Sequence, residues 1–360
     1  MREEEEEEEK NPNPIYIHAD LVEDILLTLP LKPIIRCKTV SKQWKSILES
    51  KSFAERRKSV QKNPKILAVG EPRFQGDAEI DIVYLQRHDT TTRPSLTCDG
   101  LVCIPVPDWI NVLNPSTGEF LRFPTGPFDY GIELVPQVWR YIFPGYWAMG
   151  FGKDEVSGSY KVVRMLFDFN YFEILDVNTG EWRKLTPAPY KVEATRKSAC
   201  VNGSIYWYTP AAQIVNLEDR LAFSDTGFDP EWVLEIWSMH AQEETWTMTY
   251  FLTLTRVISP KYWKRWFTPI AVSKQGNIFL HDSEKRLFKY YPDTDHLSCL
   301  SQDISGLTPL VENLAPLPSQ SGCVLSISTS GYQYGLSYLQ PGRVSTTPQR
   351  STISSIFGWN

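Results

Sequence analysis

IHADLVEDILLTLPLKPIIRCKTVSKQWKSILESKSF, residues 17–53, decides the fold of the N-terminal part of this chain. Its apolar residues recur at the three- and four-residue spacing of an α-helix, with Leu21, Ile25 and Leu29 in one row. Proline breaks a helix that reaches it, so this row ends at Pro30. The pattern predicts a leucine-rich helix that stops at a Leu-Pro joint and is followed by further short helices.

The ends of these helices carry residues that favour capping. Asp20 is the expected N-cap of the first helix, with Glu23 three residues later as in a capping box. Ser41 is the expected N-cap of a third helix, which carries Trp44. Three short helices in roughly 40 residues bury too little apolar surface to be robust alone, so we expect this unit to need a partner.

Beyond Lys58 the apolar spacing changes from the helical period toward the alternation that is typical of β-strands. A tight turn followed by a short apolar strand recurs, because Asp-Gly, Asn-Gly and Gly-Asn tolerate the positive φ of such turns. These turn–strand units are CDGLVCI (98–104), VNGSIYW (201–207) and KQGNIFL (274–280).

A longer unit of strand, polar turn and strand recurs as well. The strand–turn–strand units are INVLNPSTGEFLRFP (110–124), YFEILDVNTGEWRKLTP (171–187), VLEIWSMHAQEETWTMT (233–249) and RLFKYYPDTDHLSCL (286–300). The turn glycines Gly118 and Gly180 lie 62 residues apart, a period that suits one multi-strand blade. We therefore predict a propeller-like array of antiparallel sheets with kelch-like repeats, and leave the number of blades open.

The composition is that of a globular protein, with 42% hydrophobic and 22% charged residues among 360. The net charge of -6 arises from the acidic run Glu3–Glu9, which we interpret as a solvated tail. The sequence contains no apolar stretch near the ~18 residues of a membrane span, and no basic stripe typical of nucleic-acid binding. The six cysteines form no CxxC pair, so we expect reduced thiols without a zinc site or disulfide framework.

The helical stretch resembles the F-box. The family pattern has a leucine-rich first helix, a Leu-Pro joint, an arginine and a VSKxW element in this order. The matching segments are DL (20–21), EDIL (23–26), LP (29–30), Arg36 and VSKQW (40–44). Two segments depart from the pattern in ways that bear on adaptor affinity rather than on the fold: HA (18–19) replaces a proline-containing start, and CKT (37–39) replaces an aromatic-Arg-Cys run.

This resemblance implies that the helical unit docks on a Skp-type adaptor, which bridges to a cullin. The residues expected to supply the apolar contact are Leu21, Ile25, Leu29, Pro30, Ile35, Val40 and Trp44. Some of them must instead hold the helices together, and the sequence does not assign each one.

The downstream part of the chain resembles the F-box associated domain of plant F-box proteins. The segments that carry this resemblance, in the order of the family, are TCDGLVCI, NPSTGEF, GFGKDEVSGSYKVVRM, DVNTGEWRKL, VNGSIYW, LEIWSMHAQEETW and GNIFLHDSEKRLFKYYPDT. Family members usually carry a segment of the form F-D-x-x-T/S-E-x-F after the YW strand. Here Trp207 is followed within a few residues by IVNLEDRL (214–221), so this segment is missing. We expect either a lost strand pair that leaves a sheet edge unpaired or a blade that closes differently.

The sequence offers little for catalysis. It holds no GxSxG elbow and no HExxH pair, and GFGKDEVSG does not have the context of a phosphate-binding loop. The acidic residues available for catalysis are Asp99, Asp108, Asp154, Glu155, Asp176, Asp225 and Asp229, and most of them are interpreted as turn formers beside glycine or asparagine.

One stretch, YWKRWF (262–267), interleaves aromatic and basic residues. Such a stretch more often packs its aromatic rings between blades, yet it is also the composition of binding hot spots. The best candidates for substrate contact are therefore Tyr262, Trp263, Arg265 and Trp266.

We expect four segments: an acidic leader (1–14), an F-box (15–58), an F-box associated β domain (62–318) and a Ser/Thr-rich, partly disordered tail (319–360). The resemblance implies a non-catalytic substrate-recognition subunit of an SCF-type (Skp–cullin–F-box) ubiquitin ligase, without cofactor or metal. Its partners would be the Skp-type adaptor, the cullin and a protein substrate, but no nucleic acid and no membrane. Two alternatives stay open, an F-box scaffold or decoy without a degradation role and a carbohydrate- or ligand-binding propeller. We expect a soluble intracellular protein of the cytoplasm, the nucleus or both.

Overall fold

Short helices make up the N-terminal unit of the computed structural model, and strands make up the rest. The two units are Met1–Val60 and Gln61–Asn360. The structure describes residues 17–61, 63–69, 74, 76–87, 96–106, 109–124, 148–166, 171–186, 192, 197–207, 213–228, 231–240, 245–254, 266–284, 286–302, 304–317 and 336–339.

The helices described in the first unit are α1 (Ala19–Thr28), α2 (Leu31–Cys37), α3 (Lys42–Leu48) and α4 (Lys51–Val60). The Leu-Pro joint separates α1 from α2, and Pro30 is the N-cap of α2. The Ser41 hydroxyl accepts a hydrogen bond from the Trp44 amide at 3.1 Å, which confirms the predicted cap of α3. The predicted cap of α1 is wrong, because His18 holds that position without a side-chain bond and Asp20 lies within the first turn.

All four helices contribute to the core of the helical unit. Its buried apolar residues are Val22, Leu26, Leu27, Leu31, Ile34, Leu48 and Phe53. The fourth helix follows the three that the sequence predicts, and it begins where the Ser50 hydroxyl accepts a hydrogen bond from the Phe53 amide at 3.1 Å. Replacing a buried phenylalanine by alanine typically costs about 3–5 kcal/mol, so α4 is an integral part of this unit.

The second unit is built of strands. Those described are β1 (Lys65–Val69), β2 (Asp81–Arg87), β3 (Leu96–Cys98), β4 (Leu101–Val106), β5 (Trp109–Leu113), β6 (Phe120–Pro124), β7 (Ala148–Lys153), β8 (Tyr160–Leu166), β9 (Tyr171–Asp176), β10 (Trp182–Lys184), β11 (Ala199–Val201), β12 (Ser204–Tyr206), β13 (Gln213–Leu217), β14 (Arg220–Phe228), β15 (Trp232–His240), β16 (Thr245–Thr253), β17 (Phe267–Val272), β18 (Ile278–Asp282), β19 (Leu287–Tyr291), β20 (His296–Ser301), β21 (Ser305–Leu310) and β22 (Leu336–Leu339).

Within the described residues, these strands form five sheets of four strands and one of two. The four-stranded sheets are blade 1 (β21-β1-β2-β22), blade 2 (β3-β4-β5-β6), blade 3 (β7-β8-β9-β10), blade 4 (β13-β14-β15-β16) and blade 5 (β17-β18-β19-β20). The two-stranded sheet, β11 with β12, is here called the short sheet. The pairings are antiparallel except for β1 with β2, which confirms the predicted fold class of helices followed by a propeller of antiparallel sheets.

The sheets follow one another around a ring. The inner strands β21, β3, β7, β11, β13 and β17 contact each other in this order, and β17 contacts β21 again. The short sheet therefore holds a position of its own between blades 3 and 4. Blade 1 closes the ring by pairing β1 and β2, from the start of the unit, with β21 and β22 from its end.

Neighbouring blades pack face to face through apolar clusters, as in other sheet-on-sheet packings. Phe123 and Phe151 belong to a cluster between blades 2 and 3. Trp232 and Phe267 belong to the cluster between blades 4 and 5, with ring centroids 5.8 Å apart. Each sheet in such a ring is stabilised by the neighbour that covers its face.

The recurring sequence units are hairpins of these sheets. Segments 98–104 and 274–280 are the inner hairpins of blades 2 and 5, and 201–207 is the short sheet. The strand–turn–strand units are the outer hairpins of blades 2, 3, 4 and 5. In the described part of the chain the short sheet has an inner hairpin and no outer one, which agrees with the expected loss of a strand pair after Trp207.

The 62-residue period comes from equivalent outer turns. The Gly118 amide donates to the Asn114 carbonyl at 2.8 Å, and the Gly180 amide donates to the Asp176 carbonyl at the same distance. Both glycines have positive φ, 77° and 76°, which glycine adopts at little cost. One turn joins β5 to β6 in blade 2 and the other joins β9 to β10 in blade 3, so the period separates consecutive blades.

Candidate functional site

The helical unit exposes an apolar row that its own core does not use. Leu21 and Ile25 lie one turn apart on α1 and are 58% and 53% exposed, whereas Leu26 on the opposite face is completely buried. Ile17 precedes Leu21 by four residues and is also exposed. Val40, after α2, is exposed as well. Solvent-exposed apolar residues in a row on a folded helix are typical of a surface that another protein covers.

The predicted adaptor contacts all lie outside the core. Pro30 is exposed, and Leu29, Ile35 and Trp44 are partly buried. The structure thus separates exposed from partly buried members of this set, and their contact with an adaptor stays a prediction. The core is complete with other residues, and the exposed members of the seven are Leu21, Ile25, Pro30 and Val40. Ile17 is an exposed apolar neighbour that sequence reasoning missed, although its spacing of four from Leu21 was visible.

Two arginines of α4 hold α1 in place. Arg56 forms ion pairs with Glu23 at 2.8 Å and Asp24 at 2.7 Å, and these hydrogen bonds raise the pKa of Arg56. Arg57 is buried, and its Nη1 donates to the Leu29 carbonyl at 3.1 Å, which satisfies a carbonyl at the end of α1. Sequence reasoning missed this bracing role, because a basic helix end is ordinarily solvated.

Three of the four predicted substrate-contact residues lie outside the described residues, namely Tyr262, Trp263 and Arg265. The fourth, Trp266, directly precedes β17 and is 46% exposed. The role of this set therefore stays a prediction.

The turn role of several acidic residues is confirmed. Asp99 has a positive φ of 46°, and the Oδ1 atoms of Asp154 and Asp176 accept backbone hydrogen bonds within their turns. Asp108 and Asp229 lie outside the described residues. Where the structure describes the chain, it groups no three His, Cys, Asp or Glu side chains as a metal site. It likewise describes no helix long and apolar enough to cross a membrane.

A groove beside the short sheet is a second candidate surface. The Trp207 indole donates to the Met149 carbonyl at 3.2 Å, and Trp207 and Ile205 lie against the glycines of β7. A Cβ atom at Gly150 would be 2.4 Å from the Trp207 ring, and one at Gly152 would be 2.7 Å from Ile205, so only glycine allows this approach. Sequence reasoning missed the groove, although the glycine alternation in GFG (150–152) marks it.

The groove extends from the short sheet over one face of blade 3 and has a volume of about 420 Å³. Its apolar floor includes Val163 and Ile174, and its rim carries Lys153, Lys161 and Arg183. Lys161 forms an ion pair with Asp176. Burial raises the pKa of Asp176, but the hydrogen bond and charge of Lys161 together with hydrogen bonds from the Asn178 and Thr179 amides outweigh it and hold this pKa below its usual range.

Comparisons with known proteins agree with both units. Residues 18–56 match the F-box domain, and residues 71–220 match the F-box associated beta propeller domain. Three similar proteins of Arabidopsis thaliana are the F-box/LRR-repeat protein At2g43260 (45% identical, 97% of this chain and 93% of that one), the F-box/kelch-repeat protein At2g43445 (46%, 97% and 94%) and the F-box protein At2g43440 (44%, 96% and 97%). This chain belongs to the F-box protein family.

A solved structure, the WD40 domain of SCAP from fission yeast, is similar over 58% of this F-box protein and 40% of that chain, at 7% identity. Its TM-score of 0.21 is too low to carry an argument.

The alignments with these relatives are longer than the part of this chain that they cover. The alignment with At2g43260 runs over 401 residues, but 97% of this 360-residue F-box protein supplies only about 349 of them. About 50 positions of the relative therefore have no counterpart here, and the alignments with At2g43445 and At2g43440 differ by a similar amount. This total exceeds what one further hairpin needs, since strands are usually 3–10 residues long.

The contact between β7 and the short sheet can be tested with Gly150→Ala. Because the new Cβ would overlap the Trp207 ring, we expect the free energy of unfolding to fall by about 1–3 kcal/mol, measured by chemical denaturation of the full chain. Gly227→Ala is the matched control, since its Cβ would lie 3.9 Å from Val233 and should be nearly neutral. Equal stability of the Gly150→Ala and wild-type proteins would contradict this packing.

Proposed function

We propose that this F-box protein is the substrate-recognition subunit of an SCF-type ubiquitin ligase. The observation that carries the proposal is the exposed row of Leu21 and Ile25 on a helical unit whose core is complete without them. These residues, with Leu29, Pro30, Ile35, Val40 and Trp44, would be buried against a Skp-type adaptor that bridges to a cullin. Family membership supports the same role.

In this proposal the protein contributes no catalytic residue, cofactor or metal. It accelerates ubiquitin transfer by holding a target near the charged conjugating enzyme, which converts an encounter in solution into a reaction between positioned groups. Members of the F-box family generally act without catalysis of their own. The protein would act in the cytoplasm, the nucleus or both.

The propeller would select the target through loops and exposed strands on a rigid scaffold. Tyr262, Trp263, Arg265 and Trp266 remain the sequence-based candidates for this contact, and the exposure of Trp266 is compatible with it. The target is a protein whose identity the chain does not name.

A second candidate function is that of an F-box scaffold or decoy, which binds the adaptor or a target without promoting degradation. The specific observation in its favour is the short sheet, where the described strands are two instead of four. A propeller shortened relative to its relatives could retain adaptor binding while binding targets differently.

Adaptor binding depends on the exposed row and not on the core. We expect Leu21→Asp and Ile25→Asp each to weaken co-purification with a Skp-type adaptor at least tenfold, because a carboxylate would have to be desolvated at the interface. Their thermal unfolding should stay close to wild type, because both side chains are more than half exposed.

Val60→Asp serves as the matched control, since it makes the same change at an exposed apolar residue near the end of α4. Val60→Asp should bind the adaptor like wild type. If the wild-type chain captures no Skp-type adaptor, or if Leu21→Asp and Ile25→Asp bind normally, the proposal is wrong.

Receptor and decoy differ in what happens to bound proteins. In a receptor, proteins captured by proximity labelling of the full chain should carry ubiquitin and accumulate under proteasome inhibition, and the Leu21→Asp variant should capture the same proteins with less ubiquitin. In a decoy, neither proteasome inhibition nor Leu21→Asp changes the ubiquitin on captured proteins. Quantitative mass spectrometry of the captured proteins separates the two.

A further inference from the structure

Blade 3 buries one face and leaves the other partly open. On the face toward blade 2, Val162 and Leu175 are fully buried. On the opposite face, toward the short sheet, Val163 and Ile174 pair across β8 and β9 and remain partly exposed. The short sheet covers the inner part of this face, where Ile205 and Trp207 meet the glycines of β7. Met165 and Phe172 on the same face are buried, with Leu185 and Val192 packed against them.

Blade 4 shows the same asymmetry from the other side. Leu221 and Met239 pack against Ala199 and Val201 of the short sheet, so their face of blade 4 is the one turned toward it. The strand alternation places Phe223 on this face too, and the paired strands add three exposed residues. These are Trp246, Met248 and Phe251, which are 39%, 49% and 50% exposed.

Aromatic ring contacts hold the side chains on this face of blade 4 in place. The Phe223 ring stacks on Trp237 at 6.1 Å and meets Trp246 edge to face at 4.9 Å. The opposite face, toward blade 5, buries Leu234 and Ile236 completely. A sheet face that is apolar, ordered and half exposed resembles one side of a sheet-on-sheet interface that lacks its covering sheet.

β12 contacts both faces, because Ile205 lies against the glycines of β7 and Tyr206 packs in the cluster that holds Leu221 and Met239 of blade 4. In the other blades the second strand is paired on both sides, but β12 pairs only with β11 among the described residues. An unpaired strand edge is a template for another strand. The relatives, which carry about 50 further residues in this alignment, have enough chain to supply an outer hairpin of their own.

We propose that the cleft between these faces, here called the blade 3–4 cleft, binds a β-hairpin of a partner protein. The hairpin adds its first strand to β12 and completes the short sheet as a four-stranded blade. Strand addition to an exposed edge supplies main-chain hydrogen bonds, and the alternate side chains supply selectivity.

The charges of the cleft define the hairpin further. The blade 3 side carries Arg183, beside Lys153 and Lys161, which are already paired with Asp99 and Asp176, and the blade 4 side carries Asp225 and Glu235. The fitting hairpin is apolar on both faces, with Asp or Glu toward blade 3 and Lys or Arg toward blade 4. Opposite charges at the rim of an interface chiefly favour the correct partner and orientation.

The proposal concerns the propeller alone and holds whether or not the F-box binds an adaptor. The probe is a fluorescent synthetic β-hairpin peptide that is apolar on both faces, with Glu on the face toward blade 3 and Lys on the face toward blade 4. We expect the wild-type full chain to bind it with a micromolar Kd in fluorescence polarisation. Phe251→Asp on blade 4 and Ile174→Asp on blade 3 should each raise this Kd at least tenfold.

Trp109→Asp is the matched control, because it places the same charge at an exposed aromatic residue of blade 2, and its Kd should equal that of wild type. Phe251→Asp should still co-purify with the Skp-type adaptor to the wild-type extent, which distinguishes a failure of the cleft from a failure of the F-box. Arg183→Glu should weaken binding of the acidic-faced peptide and reduce its salt dependence.

Three outcomes would overturn the proposal. The wild-type chain does not bind the peptide at about 100 µM, a concentration at which a micromolar site would be saturated. The peptide binds, but Phe251→Asp and Ile174→Asp bind it like wild type. The chain forms a dimer in light scattering that Phe251→Asp dissociates, which would assign the cleft to a second copy of this protein.

Discussion

A sheet in a ring is stable only when each of its faces is covered, and this constraint governs the propeller. Apolar side chains alternate along every strand, so a four-stranded blade presents two faces that must both leave water. Blades 1, 2 and 5 have a full blade on either side. Blades 3 and 4 have a full blade on one side only and share the short sheet on the other. The residues near the short sheet are exposed for this reason.

The helical unit follows the same principle on a smaller scale. Four short helices bury Leu26, Ile34 and Phe53 and brace α1 through Arg57, which leaves the row of Leu21 and Ile25 outside. This exposure is compatible with folding because the core is complete. A partner that covers the row removes its apolar surface from water, which is favourable. Each unit thus has an apolar surface that its own core does not require, one on α1 and one beside β12.

Patterns that depend on local chemistry were predictable from the sequence. Ser41 as a cap, Pro30 as the joint and the turns that end at Gly118 and Gly180 follow from backbone preferences of single residues, and the structure has them all. The shortened sheet was predictable too, because Trp207 is followed so soon by the next strand. The missed features depend on partners distant in sequence. Arg57 is buried and bonds to a carbonyl 28 residues earlier. The exposure of Phe251 depends on the strands that the neighbouring short sheet lacks.

The central claim is that β12 is the outer strand of a half-formed sheet, and amide hydrogen exchange of the full chain tests it most directly. The comparison is between peptides covering 204–207 and peptides covering 101–106, because β4 is the equivalent second strand of blade 2 and is paired on both sides. The account predicts that amides of β12 exchange at least a hundredfold faster than those of β4. An unpaired edge opens locally at a lower free energy, and a hundredfold difference in rate corresponds to about 3 kcal/mol in this opening free energy. Equal protection of the two strands would contradict it, because β12 would then be covered by a further strand of the same chain.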